Sequence, residues 1–188
     1  LAVFYANFSP LRYLPGPLLF FYVRSTLTDT RAIKSWKDYL HFIPFLVHLA
    51  GMLPYLFNSF TEKVTLAHLI HEDLNNVVLH QINLFYSPKP AFISRPLFVI
   101  IYALYCFVLL LRSKQRTAKA ASKTESQIAF SYKWLWVLTG SLFAVCAGFL
   151  FLIIQLIPAD VSTLALESIP AHIVSGILFF LLPTCSIL

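Results

Sequence analysis

The sequence predicts an all-α protein, a polytopic bundle of transmembrane helices with one amphipathic helix at the membrane interface or on the extracytoplasmic side. Hydrophobic residues make up 59% of the 188 and charged residues only 12%, against about 25% charged in a soluble domain. The apolar residues gather into runs long enough to cross a hydrocarbon layer of about 30 Å at a helical rise of about 1.5 Å per residue. The remaining charges lie between those runs and alternate in kind: two connecting segments are rich in Lys and Arg, and two are poor in them.

The chain begins with residues 1–8, which read as the tail of an earlier span. Pro10, Pro15 and Pro17 then interrupt the helix around Arg12, because proline lacks an N–H and clashes with the preceding turn. Residues 14–27 form a short or tilted crossing. The segment beyond it carries Arg24, Arg31, Lys34 and Lys37 against Asp29 and Asp38. The span 39–57 follows, bent at Pro44 and Pro54, with Asp38 placed to cap its start.

Residues 62–86 are more polar, with Val64, Leu66, Leu69, Ile70, Leu74, Val77 and Val78 spaced as on an amphipathic helix along the outer face. The span 91–111 has Arg95 near its outer end, from which a long side chain snorkels to the headgroups. The basic loop 112–133 sets Arg112, Lys114, Arg116, Lys119, Lys123 and Lys133 against a single acid, Glu125. The span 134–157 is entered through Tyr132, Trp134 and Trp136, which fit an interfacial aromatic belt. Its exit loop holds Asp160 and Glu167 without Lys or Arg, and the span 169–184 returns the chain.

Lys and Arg concentrate on the cytoplasmic side of spanning helices. One orientation puts both basic loops inside and both poorly basic ones outside, so the C-terminal end is expected in the cytoplasm. The same rule accounts for the net charge of +6 without a nucleic-acid surface. Residues 1–188 read as one membrane domain and as a fragment of a longer protein, since the chain starts at Leu1 inside an apolar stretch.

Few residues suggest chemistry. Cys106, Cys146 and Cys185 show no paired spacing, so neither a disulfide framework nor a thiolate site is indicated. His41 and His48 lie seven residues apart on one face of their span, and His172 sits in the last span. With no Asp or Glu inside the spans, these histidines read as neutral and hydrogen-bonded. On the outer segment His68 and His71 share a helix face and are the weak candidates for a metal. The run His71-Glu72-Asp73-Leu74-Asn75 lacks the second histidine of a metalloprotease helix. Gly140, Ala144 and Gly148 recur every four residues, a small-residue stripe suited to close helix packing within the chain or in a homodimer. The absence of a phosphate loop, a nucleophile elbow and paired carboxylates argues against an enzyme, and no catalytic residue or cofactor is expected.

Three local patterns occur together: Gly16-Pro17-Leu18-Leu19-Phe20-Phe21-Tyr22-Val23-Arg24-Ser25, then His41-Phe42-Ile43-Pro44-Phe45, then the basic loop entering Lys133-Trp134-Leu135. In order and spacing they resemble the N-terminal membrane domain of bacterial membrane-bound AraC-type transcriptional regulators, over most of the chain. The resemblance implies a multi-pass sensor in the bacterial inner membrane, ahead of a cytoplasmic helix-turn-helix module. The first spans and that module are missing from this sequence, so DNA would be reached only through a C-terminal domain outside it. The ligand is not implied. Alternatives are the sensor region of a membrane histidine kinase, which shares this topology, and a piece of a polytopic transporter or acyltransferase, which calls for more polar residues at mid-span.

Overall fold

The computed structural model describes residues 7–28, 31–73, 75–117 and 125–156, and these are all-helical, without a strand. A 3₁₀ turn at Pro10–Tyr13 leads into α1, Pro15–Thr28. Pro15 opens α1 where its missing N–H would be unpaired in any case. Spanning 14 residues, α1 rises only about 21 Å, less than a full hydrocarbon layer. Its buried face carries Gly16, Pro17, Leu19, Phe20, Phe21 and Val23.

The next crossing starts as a 3₁₀ helix at Trp36–Phe42 and becomes α-helical as α2, Ile43–Phe57. Pro44 explains the change of winding: in an α-helix its ring would press on the carbonyl of Leu40, and it has no N–H to give. Ser35, rather than Asp38, is the N-cap. Asp38 instead completes a capping box by accepting from the Ser35 backbone N–H.

The predicted outer segment contains two helices, α3 at Phe60–Glu72 and α4 at Asn76–Leu79. Ser59 caps α3, and Lys63 reaches back to the carbonyl of Leu56 at 2.8 Å, closing the C-terminus of α2. Ile70 is buried whereas Leu69 is exposed, so the expected apolar stripe is only partly used.

Helices α5, Pro88–Thr117, and α6, Glu125–Leu156, run well past the predicted span limits. At 30 and 32 residues they rise about 45 and 48 Å. No Pro or Gly stands between Pro96 and Gly140, and the Lys, Arg, Gln and Ala residues of the basic stretch are good helix formers. The predicted loop 112–133 is therefore helical up to Thr117 and again from Glu125. Lys119, Lys123, the predicted tail up to residue 6 and the span 169–184 lie outside the described residues.

Contacts order the bundle. Phe20 meets Tyr102 and Tyr105, and Tyr13 meets Ser94, so α1 runs parallel to α5. His41 with Tyr102 and His48 with Arg95 make α2 antiparallel to α5. Tyr132 donating to Leu110 and Trp136 against Phe107 do the same for α6. Both basic segments consequently share one end of the bundle, and residues 58–87 lie at the other. The core joins Leu19, Phe20, Phe21 and Val23 of α1 to Ala103, Cys106 and Leu110 of α5 and Leu135 of α6. Between apolar helices in lipid, close van der Waals contact supplies the attraction, and small residues at Ala103 and Cys106 permit it.

Three helical segments, Trp36–Phe57, Pro88–Ser113 and Tyr132–Gln155, are long and apolar enough to cross a membrane, and at most 28% of any is buried. Leu97, Ile101, Leu104, Leu111, Phe149, Phe151 and Ile154 all face outward, far more apolar surface than a water-soluble monomer exposes. This is a membrane protein.

Candidate functional site

A cleft of about 190 Å³ opens at the end of the bundle that carries residues 58–87. The turn at Pro10–Tyr13 brings Ser9 and Arg12 to its wall, α2 brings His48 and Met52, α4 brings Val77, and the first turns of α5 bring Ala91, Phe92 and Arg95. The link between α4 and α5 closes it with Ile82, Asn83 and Ser87. That link is pinned by the N–H of Leu84, which donates to the carbonyl of Gly51 at 3.0 Å. Gly51 has to be glycine here, because a Cβ would fall 2.7 Å from the Asn83 side-chain carbon.

His48 is the centre of the polar network, 1% exposed. Arg95 Nη2 donates to Ser9 Oγ at 2.6 Å, Ser9 Oγ lies 2.7 Å from His48 Nε2, and the same Nη2 faces Nε2 at 3.4 Å. A guanidinium only donates. Nε2 accordingly accepts from the Ser9 hydroxyl, while Nδ1 meets the Tyr86 hydroxyl, with the Asn83 side-chain nitrogen 3.4 Å away. Burial, and after it a hydrogen bond with Tyr13, push the Tyr86 phenol above its usual pKa, keeping it protonated. Asn83 donates to the His48 carbonyl at 3.4 Å and accepts from the Phe85 N–H at 2.8 Å. Tyr13 packs its ring 5.1 Å from His48 and pairs its hydroxyl with Ser94 at 2.7 Å.

Arg95 thus turns inward, whereas its position near a span end predicts snorkelling to the headgroups. Ser9 and His48 offer acceptors inside the cleft, and the Phe92 ring lies 5.4 Å beneath its guanidinium. Its Nε is buried with no hydrogen-bond partner among the described residues.

A second polar joint sits at the basic end. Arg24 grips Asp38 with two parallel bonds of 2.8 and 2.9 Å, and Asp38 also accepts from the N–H groups of Lys34 and Ser35. Arg24 bonds the Ala32 carbonyl as well, and lies 4.9 and 5.1 Å from the Phe20 and Phe21 rings. With its carboxylate satisfied and both Arg24 Nη groups bonded, this joint ties α1 to the start of the next crossing. His41 Nδ1 meets the Tyr102 hydroxyl at 2.6 Å nearby.

The structure gathers several of the sequence-predicted motif residues at the α1–α2–α5 seam. Gly16 faces Tyr102, whose Cδ2 would stand 2.9 Å from an added Cβ, Pro17 is buried beside it, and Arg24, His41 and Pro44 act as described. Tyr22 is exposed and Trp134 half-buried, outside that seam. Of the expected aromatic belt, Tyr132 and Trp136 instead pack against α5, at Leu110 and Phe107. Arg112 and Lys133 are exposed, and Lys114 and Arg116 belong to the last turns of α5.

Nothing lies within 4 Å of a Cβ placed on Gly140 or Gly148, and Ala144 is exposed, so no described helix packs on the small-residue stripe. His68 and His71 are exposed on α3, and among the described residues no three His, Cys, Asp or Glu side chains converge. Sequence reasoning missed Ser9, Asn83 and Tyr86. The available signal was the coexistence of His48 and Arg95 inside apolar runs, since two costly intramembrane groups are expected to find each other. Comparison with protein-family models, with curated proteins and with solved structures gives no match.

Proposed function

We propose that the chain is the membrane-embedded sensory and signal-relay region of a bacterial transcriptional regulator of the membrane-bound AraC type. Its cue acts at the cleft, and its output is a cytoplasmic DNA-binding domain carried beyond residue 188. The observation that supports this reading is the Ser9–His48–Arg95 network, which links three separate elements at the bundle end away from both basic segments. A molecule competing for those hydrogen bonds acts differently on two packings of the N-terminal turn, α2 and α5, which is the requirement for shifting a conformational equilibrium. The positive-inside rule puts the basic ends in the cytoplasm and the cleft on the outer side of the inner membrane. The long rigid α5 then connects the two sides.

Reading the parent gene past Leu188 tests the proposal. A helix-turn-helix pair within about the next hundred residues, the size of one small domain, agrees with it. A histidine-kinase module, a further run of spans or an early stop overturns it.

A further inference from the structure

We propose that the cleft binds an oxyanion of the phosphate class, presented by a free solute or by a lipid headgroup, between the guanidinium groups of Arg95 and Arg12. This rests on reading the cleft as the cue site of the proposed sensor. Among the described residues lining the cleft, two are arginines and none is Asp or Glu. Among the described residues the one ion pair is Arg24–Asp38, at the opposite end of the bundle. Among the described residues Arg95 therefore stands half-buried against neutral partners, Ser9, His48, Tyr13 and the Phe92 ring.

Such an arrangement is costly for a resident cation and favourable for an incoming anion. Two like charges on one cleft wall repel each other, and a guanidinium kept from bulk water is strongly attracted to a counter-charge. Arginine forks match phosphate oxygens in paired geometry, and the exposed Ser87 hydroxyl at the rim adds a neutral donor. His48 Nε2 is an acceptor and offers the anion no donor, so binding rests on the arginines. The volume of about 190 Å³ is below the roughly 300–1,000 Å³ of drug-sized ligand pockets and suits a headgroup-sized ion. Met52, Ile82 and Phe92 give the cleft apolar walls beside Arg95.

The test uses the full-length protein in nanodiscs, followed by thermal unfolding. One arm titrates inorganic phosphate into phosphatidylcholine nanodiscs, with chloride at matched ionic strength as control. The other replaces phosphatidylcholine by phosphatidylglycerol without added phosphate. A midpoint rise in the first arm identifies a free anion, and a rise confined to the second identifies a headgroup. Either rise has to be lost in Arg95→Gln and weakened about tenfold or more in concentration dependence by Arg12→Gln, as for loss of a charged hydrogen-bond donor. The control Arg112→Gln, at the other end, leaves it intact. No rise in either arm, or a rise undiminished in the cleft variants, overturns the proposal. Should Arg95→Gln fail to fold, Arg12→Gln carries the test, since Arg12 is exposed. Binding is read without DNA, so its failure leaves the regulator reading standing, and a parent gene without a helix-turn-helix leaves the binding result standing.

Discussion

His48 has a partner at each ring nitrogen, Ser9 at Nε2 and Tyr86 at Nδ1. His48→Leu removes both and leaves Arg95 facing an apolar side chain. Each buried partner left unsatisfied costs about 1–3 kcal/mol. Chemical unfolding in mixed micelles is expected to show His48→Leu as the more destabilising change, with His41→Leu milder, because His41 is half-buried and bonded to Tyr102 alone. Equal effects would mean that the network around His48 contributes no more than an ordinary polar contact. That both histidines are hydrogen-bonded was legible from the lack of carboxylates in their spans. Their partners were not, since Ser9 and Tyr86 lie 39 and 38 positions from His48 and reach it only through helix packing.

Between elements, α1 and α5 approach closely where Gly16 faces Tyr102. Gly16→Leu forces that ring aside, with an overpacking cost of about 1–3 kcal/mol. Gly140→Leu meets nothing within 4 Å among the described residues and is expected to change unfolding by no more than about 0.5 kcal/mol, the range of a substitution away from packed neighbours. Parallel unfolding curves of the two variants check the contrast, and a large loss from Gly140→Leu would show that the small-residue stripe packs inside the bundle. Element type and order were readable from the apolar runs. Helix ends were not, because a positive-inside signal marks where lipid ends and not where hydrogen bonding ends. Helix α5 accordingly continues through Arg112 to Thr117. Pro44 was readable as a bend, but its effect is a change from 3₁₀ to α winding at Ile43.

At the scale of the whole molecule, the parallel packing of α1 and α5 places Arg24 and Arg112 at one end and the cleft at the other, so two polar joints of different character are separated along the bundle. The joint at the basic end is a closed ion pair, Arg24 with Asp38. The joint at the other end is a cation with neutral partners beside an open cleft. A closed pair holds helices together, and an unbalanced cation responds to what arrives. These ends are proposed to lie on opposite sides of the membrane, with the cleft outside. Cysteine labelling of intact cells with a membrane-impermeant maleimide tests it, using Ser87→Cys at the cleft rim and Lys34→Cys at the basic end, both exposed positions, with the unsubstituted protein as background. Labelling of Ser87→Cys in intact cells and of Lys34→Cys only after lysis is expected; the reverse pattern, or labelling of both from outside, would contradict this arrangement.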